Sequence, residues 1–236
     1  MKEIQAILSE RIRRASTVES FRFKPDEKIE FLPGQFLKLI FDQENRNNSD
    51  LNKFLSFSSA PGKEYFEVTK RISGSEFSQA LVNLKIGDRI LIKAPMGNCI
   101  FKDEYAKIGF LIGGIGITPV ISILEYIVSK NLDTDICLLY SNRTEEDIAF
   151  KAQIDDWSQR NPNIKPVYAI TDCVPKDKKC FSGIIDQQFL INNICELKQR
   201  IFFIFGSPGM VLAMKNVCFG IGCVGDMVKV ENFIGY

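Results

Sequence analysis

Residues 109–120 read GFLIGGIGITPV. An apolar run breaks into glycines at 113, 114 and 116, then resumes as a helical pattern from Pro119. A buried strand, a tight turn and a helix account for that order. Glycine lets the backbone turn sharply and approach a ligand, proline suits a first helical position, and a helix N-terminus offers unpaired amides to an anion. The spacing Gly114-x-Gly116-x-x-Pro119 has proline where a dinucleotide fingerprint has its third glycine, so the stretch alone is either a nucleotide site or a tight strand-to-helix turn. The surrounding 21-residue run Ile108–Val128 carries one charge, Glu125, and is long enough to span a membrane. Its central glycines and proline divide it into two unlike patterns, so no membrane span is expected.

Downstream the same rhythm repeats. Apolar runs at 108–112, 136–140, 167–171 and 201–205 alternate with amphipathic segments at 119–130, 145–158, 186–197 and 209–219, and a fifth strand is expected at 227–230. Near-continuous apolar strands separated by helices predict a parallel sheet covered on both faces. Thr144, three residues before Asp147, is read as the cap of the second helix. Upstream the pattern is β-rich with short connections: strands at 4–8, 20–23, 35–41, 54–58, 65–70 and 89–93, one helix at 76–84, and a polar loop at 42–52. Six strands with a single helix predict a small antiparallel barrel. The border falls near 101–107, giving domains 1–102 and 103–236, which suits a chain of 236 residues at ~150 per domain.

Composition narrows the chemistry. Thirty Lys and Arg against 29 Asp and Glu leave a net charge of +1, which gives no support to a nucleic-acid binder. Histidine is absent, which excludes Ser-His and Cys-His nucleophile pairs and imidazole metal sites. The seven cysteines contain no C-x-x-C pair, so no metal site is expected and reduced thiols in a cytoplasmic protein are. The N-terminal MKEIQAILSERIRR has no apolar core of the kind a secretory signal needs. Chemistry carried by an organic cofactor survives these exclusions.

Two further constellations accompany the glycine turn. Phe205-Gly206-Ser207-Pro208-Gly209-Met210 again ends an apolar strand and starts a helix, so both turns sit at carboxyl ends of parallel strands, where such sheets bind ligands. In the β-rich half come Lys53-Phe54-Leu55-Ser56-Phe57-Ser58, then Thr69-Lys70-Arg71, then Gly74-Ser75-Glu76-Phe77-Ser78, the last a capped helix start able to hold a phosphate.

Taken in order across essentially the whole chain, these pieces resemble the ferredoxin–NADP reductase superfamily. The resemblance implies a two-domain fold: an N-terminal antiparallel β-barrel that binds FAD, and a C-terminal α/β parallel-sheet domain that binds NAD(P). Lys53–Ser56 stands where the family has Arg-x-Tyr-Ser against the flavin, Thr69, Lys70 and Arg71 beside the ribityl chain, and Ser75, Phe77 and Ser78 under the pyrophosphate. Pro95-Met96-Gly97 resembles the segment that closes the barrel. Gly114, Gly116 and Thr118 would let the nicotinamide lie beside the flavin, with Gly206, Ser207, Pro208 and Met210 forming the second turn. Ser56 and Glu231 are the implied catalytic residues, Ser56 near the reactive flavin edge and Glu231 relaying protons or poising the half-reduced flavin. Tyr236 would cover the flavin face that the nicotinamide must reach, with Phe233 as its substitute.

The chain departs from the family at three places. Lys53 replaces the arginine and loses its bidentate fork. Leu55 replaces the stacking tyrosine, and Phe205 replaces the cysteine near the nicotinamide. Arg143, just after the second parallel strand, suits the 2′-phosphate of NADPH, whereas Asp172 after the third repels it, which favours NADH. The implied activity is a flavoprotein reductase that takes hydride from NADH or NADPH onto FAD. It would pass electrons to a separate acceptor protein such as ferredoxin or flavodoxin. The alternative is a non-catalytic electron-transfer or structural subunit that keeps the fold.

Overall fold

The computed structural model describes residues 1–233. It forms two compact units: Met1–Phe101 with Thr118–Tyr126, and Lys102–Ile117 with the described residues from Ile127 onward.

Unit 1 begins with a long strand, β1 (Lys2–Ala15), paired to β2 (Val18–Pro25). β1 runs well past the expected residues 4–8. Its polar second half breaks apolar alternation but stays in the hairpin through register shifts at Leu8/Glu10 and Arg13/Ala15. Arg11, which donates to Glu19 at 2.7 Å and to Val82 O at 2.8 Å, shows how those polar residues are held. Next come β3 (Phe36–Ile40), β4 (Asn52–Ser56), β5 (Phe66–Arg71), helix α1 (Glu76–Asn83) and β6 (Arg89–Met96). The antiparallel order is β4-β3-β6-β1-β2-β5, and a bridge from Phe57 to Val68 ties the chain after β4 to β5, closing the barrel.

The barrel core is aromatic and aliphatic, with Phe21, Phe23, Phe57, Phe66, Leu37 and Leu39 buried and the rings of Phe31 and Phe57 stacked at 3.8 Å. α1 covers one side through Phe77 and Leu81. Apolar burial of this kind is the main driving force for the fold. One buried acid stands among it: Glu67 is held by Arg14 at 2.9 Å and Arg22 at 2.8 Å, as a buried charge must be.

Unit 2 is a parallel sheet. Its elements in chain order are β7 (Lys107–Gly113), α2 (Ile117–Lys130), β8 (Asp135–Asn142), α3 (Lys151–Arg160), β9 (Ile164–Ile170), β10 (Cys180–Ser182), α4 (Gln187–Asn193), β11 (Ile201–Gly206), α5 (Pro208–Gly220) and β12 (Val228–Asn232). The first turns of α2, Thr118–Tyr126, are counted with unit 1. The strand order is β10-β9-β8-β7-β11-β12, so the chain walks outward from β7 and then returns to its other side at β11. That reversal makes the carboxyl ends of β7 and β11 a topological switch point, where open α/β sheets bind ligands. At the opposite ends of the strands Arg200 is fully buried and donates to the carbonyls of Cys195 (2.8 Å), Ile108 (3.2 Å) and Asp135 (3.0 Å) and to the Asp135 carboxylate.

The expected barrel and parallel-sheet architecture is therefore present, with local differences. α2 starts at Ile117, two residues before Pro119, which still falls in the first turn where an amide has no helical acceptor. The expected helix at 145–158 begins only at Lys151. Glu145–Asp147 is a 3₁₀ turn, Ile148, Ala149 and Phe150 are buried, and Phe150 has φ of 61°. Anchoring those three apolar residues breaks the helical path, and Thr144 Oγ1 bonds the Asp147 side chain at 3.2 Å instead of capping an amide. The short edge strand β10 carried no sequence signal, because a three-residue parallel pairing with β9 has no room for a pattern.

Candidate functional site

In unit 1 three segments supply the candidate residues. β4 pairs with β3 so that Lys53 stands opposite Leu39, and Leu55 opposite Leu37, on the core-facing side. Leu55 packs against the core cluster. Phe54 points the other way and is 60% exposed, its ring edge-on to Phe36 at 5.8 Å and under Lys38 Nζ at 5.4 Å. Ser56, the last residue of β4, is buried.

β5 brings Thr69, Lys70 and Arg71. The Thr69 hydroxyl lies within a buried chain, 2.7 Å from both Ser20 Oγ and Ser58 Oγ, so its side chain is committed to the barrel interior. Lys70 is only 7% exposed, and its Nζ donates to Arg71 O at 3.1 Å. Burial first, then Lys53 and Arg71, push the Lys70 ammonium below the usual lysine value. Arg71 Nη1 donates to Thr17 Oγ1 at 2.9 Å. Lys53, Lys70 and Arg71 supply the cationic donors that a diphosphate takes, so the chemistry of this set fits the diphosphate of a flavin dinucleotide.

α1 opens with Ser75 as its cap, whose Oγ accepts from Ser78 N at 3.3 Å. The hydroxyls of Ser73, Ser75 and Ser78 lie 3.1–3.2 Å apart. The Ser78 amide is therefore taken by its own cap, and the Phe77 ring is in the core beside Phe41 at 5.5 Å. What this turn presents to an anion is backbone near Glu76 and Phe77, not the Ser78 amide.

In unit 2 the two glycine turns touch. A Cβ on Gly116 would stand 2.3 Å from Phe205 O, and one on Gly206 2.8 Å from Met210 Sδ, which also lies 3.2 Å from the Cβ position of Gly113. Gly114, Gly116, Gly206 and Met210 thus gather at the β7/β11 switch point, with Ser207 and Pro208 exposed at the start of α5. Phe205 itself is fully buried, its ring 6.0 Å from Phe203 and 6.4 Å from Phe233. Its side chain belongs to the core.

Glu231 pairs in register with Phe205 on β12. Among the described residues nothing donates to its buried Oε2, and burial pushes the carboxyl up to about 7. Arg143 and Asp172 follow β8 and β9. Asp172 N donates to Arg143 O at 3.0 Å, Arg143 Nε lies 4.0 Å from Asp172 Oδ2, and the Arg143 side chain is 82% exposed. Thr118 is buried in the first turn of α2. Tyr236 lies outside the described residues.

Some residues at these edges were not singled out by sequence. Asn142, the last residue of β8, is buried, and among the described residues neither end of its side-chain amide is hydrogen-bonded. Its only signal was a polar residue closing an apolar strand. Lys63 was unmarked, although its Nζ donates to Glu125 Oε1 at 2.6 Å. Among the described residues no helix is long and apolar enough to cross a membrane, and no group of three or more Cys, Asp or Glu is arranged to hold a metal.

Comparison with known proteins bears on both units. Residues 5–101 match the oxidoreductase FAD-binding domain, and residues 110–216 the oxidoreductase NAD-binding domain. The chain is 26% identical over 235 residues to a flavohemoprotein of Bacillus subtilis (strain 168), covering 96% of this chain and 58% of that protein. It is 30% identical over 172 residues to NADH-cytochrome b5 reductase 2 of Meyerozyma guilliermondii, covering 72% of this chain and again 58% of the relative. The chain thus spans under two thirds of these relatives' length. Among solved structures, the fold matches the FAD/NAD-binding domain of a nitric oxide dioxygenase from Vibrio cholerae (TM-score 0.84, 19% identity, 98% of each chain). It also matches a ferredoxin NADP+ reductase from Neisseria gonorrhoeae with bound FAD and NADP (TM-score 0.83, 19% identity, 98% of this chain and 99% of that one).

Proposed function

The chain belongs to the ferredoxin–NADP reductase superfamily of FAD- and NAD-binding oxidoreductases, and from this we propose that it is a flavoprotein reductase moving electrons from NADH to a separate one-electron carrier. Residues 1–102 would hold FAD and 103–236 the nicotinamide coenzyme. A bound flavin takes two electrons together as hydride and releases them singly, which no side chain here can do.

The observation that carries this reading is the Lys70 side chain, buried on β5 with Lys53 and Arg71 as cationic neighbours. Those three would neutralise the FAD diphosphate, with the backbone that opens α1 as a further donor. Leu55 packs against the barrel core and supplies no stacking ring. Ser56 would donate a hydrogen bond near the reactive flavin edge. Gly114 and Gly116 would admit the coenzyme close to the backbone, and Met210 would set the floor between the two turns. Glu231, with a carboxyl at about 7, holds a proton that it can give or take near neutral pH.

The acceptor would be a separate redox protein or domain. Ferredoxin and flavodoxin belong to the right class. The names of the relatives, a cytochrome b5 reductase and a flavohemoprotein, point equally to haem carriers. The test is direct. The purified protein should be yellow and should bleach when NADH is added without oxygen. Mixing the reduced protein with cytochrome b5, ferredoxin or flavodoxin in turn then identifies the acceptor class. A colourless protein that cannot be loaded with FAD would instead support a non-catalytic subunit.

A further inference from the structure

Helix α2 carries a polar stripe through an apolar sequence. Thr118, Ser122 and Glu125 are four and three residues apart, the spacing that stacks side chains on one helix face. Around them Val120, Ile121, Ile123, Leu124 and Ile127 are buried. Within unit 1 the stripe meets the segment that leaves β4 just past Ser56. Ser122 Oγ donates to Ser59 O at 2.7 Å. Glu125 accepts from the Ala60 amide at 2.6 Å on one oxygen and from Lys63 Nζ at 2.6 Å on the other. Burial opposes the charge of Lys63, yet its bonds to Glu125 and to Tyr65 OH hold the ammonium above the usual lysine value.

The other side of the same segment is fastened to β5. Ser58 N donates to Glu67 O at 2.8 Å, and Ser59 Oγ accepts from Glu67 N at 3.0 Å. Residues 58–60 are therefore fixed between β5 and α2. A hydroxyl alone would serve to attach a helix. A carboxylate bonded at both oxygens also fixes its direction, and such a group is costly in an apolar helix unless both partners are kept. The two ends of this brace are candidate site residues: Ser56 lies three residues before Ser59, and Thr118 one turn before Ser122.

We propose that Glu125, with Ser122, is a positioning residue for hydride transfer, holding Thr118 in register with Ser56. The proposal rests on the reductase reading. It predicts a loss in the chemical step more than in cofactor or coenzyme binding, because a misplacement of ~1 Å in a reacting pair can cost about 100-fold in rate.

The test uses the flavin-loaded full chain and the variants E125A, E125Q and S122A. Anaerobic stopped-flow with saturating NADH reads flavin reduction, and NADH deuterated at nicotinamide C4 reads the isotope effect. We expect E125A to slow reduction by about ten-fold or more, with a larger isotope effect, a nearly unchanged KM and an unchanged visible spectrum. E125Q keeps an acceptor for the Ala60 amide while losing the charge opposite Lys63, and should recover part of the rate. Wild-type rate and isotope effect in all three variants overturn the proposal. So does a loss confined to flavin content or thermal stability with the rate per bound flavin unchanged, which marks a structural clamp only. If NADH does not reduce the wild-type protein, the reductase reading fails by itself, and hydrogen exchange decides the brace. E125A must then speed exchange in residues 57–63 and in the first turns of α2 together; a change in one segment alone overturns the coupling.

Discussion

A Cβ on Gly116 would stand 2.3 Å from the carbonyl oxygen of Phe205. The turn that leaves β7 therefore lies flush on the backbone of β11. Gly116 has φ of −57°, an angle any residue adopts, so it is the close approach that demands glycine and not the dihedral. Backbone cannot swing aside as a side chain can. Gly116→Ala must lift the turn away from β11 and should cost ~1–3 kcal/mol of stability, the usual range for overpacking. Because the displaced turn is the one proposed to receive the coenzyme, KM for NADH should rise as well. Urea unfolding and steady-state kinetics check both, and a variant matching wild type in both would show that the turn has slack.

Much of this was legible in sequence because the strongest signals are local. The GFLIGGIGITPV stretch shows its strand, turn and helix through composition alone. What stayed hidden depends on register and on long-range contact. Leu55 faces the core and Phe54 the surface only because β4 pairs with β3 in one register. The start of α1 reads as a phosphate-holding turn, while the engagement of the Ser78 amide by its own cap shows only in the structure. Phe205 stands where the resemblance places a cysteine, and the alternation of β11, which turns its ring inward beside Phe203 and Phe233, shows only in the structure. Glu125 was visible as the lone charge of an apolar run, while its partners, 62 and 65 positions away in sequence, were not.

The raised carboxyl of Glu231 predicts a pH dependence of unusual sign for an acid. Burial lifts it to about 7 from an ordinary 4.5. The folded state then holds this proton more tightly than the unfolded one. Its contribution to stability is complete below pH ~4.5 and is lost as pH rises towards ~7. The loss runs at ~1.4 kcal/mol for each pH unit between those two values, about 3 kcal/mol in all. Glu231→Gln should match wild type near pH 4.5 and exceed it in Tm at pH 8. Equal pH slopes for the two proteins would place the carboxyl in solvent.

Coenzyme choice should follow the pairing of Asp172 with Arg143. Asp172 is tied to Thr171 Oγ1 at 2.6 Å and faces the guanidinium at 4.0 Å, so the one cation suited to a 2′-phosphate already has a carboxylate beside it. The wild-type protein should prefer NADH in kcat/KM. Asp172→Ala should raise kcat/KM for NADPH by roughly ten-fold, a like-charge effect of about a kcal/mol or more, and leave NADH nearly unchanged. Arg143→Ala in that background should remove the gain. A wild-type preference for NADPH would reverse the assignment.

Lys70 should show opposite effects in the flavin-free and flavin-bound protein. Its folded pKa lies below the lysine value through burial and the two neighbouring cations, so at neutral pH its charge opposes folding, and that cost fades only as pH rises towards the ordinary lysine value. Lys70→Met keeps the aliphatic stem and removes the charge. Without flavin the variant should be as stable as wild type or more so, since replacing a buried charge by an apolar side chain of similar volume is often neutral or favourable. With flavin the order should invert. Loss of one charge-assisted bond to the diphosphate costs ~1.5–3 kcal/mol, or roughly 10- to 100-fold in FAD affinity. Lys53→Met tests the same diphosphate from a partly exposed position and should weaken FAD binding with little effect on the flavin-free protein. Tm measured with and without added FAD separates the two effects. If Lys70→Met lowers Tm without flavin and leaves the FAD-induced rise intact, the ammonium serves the barrel itself and the diphosphate lies elsewhere.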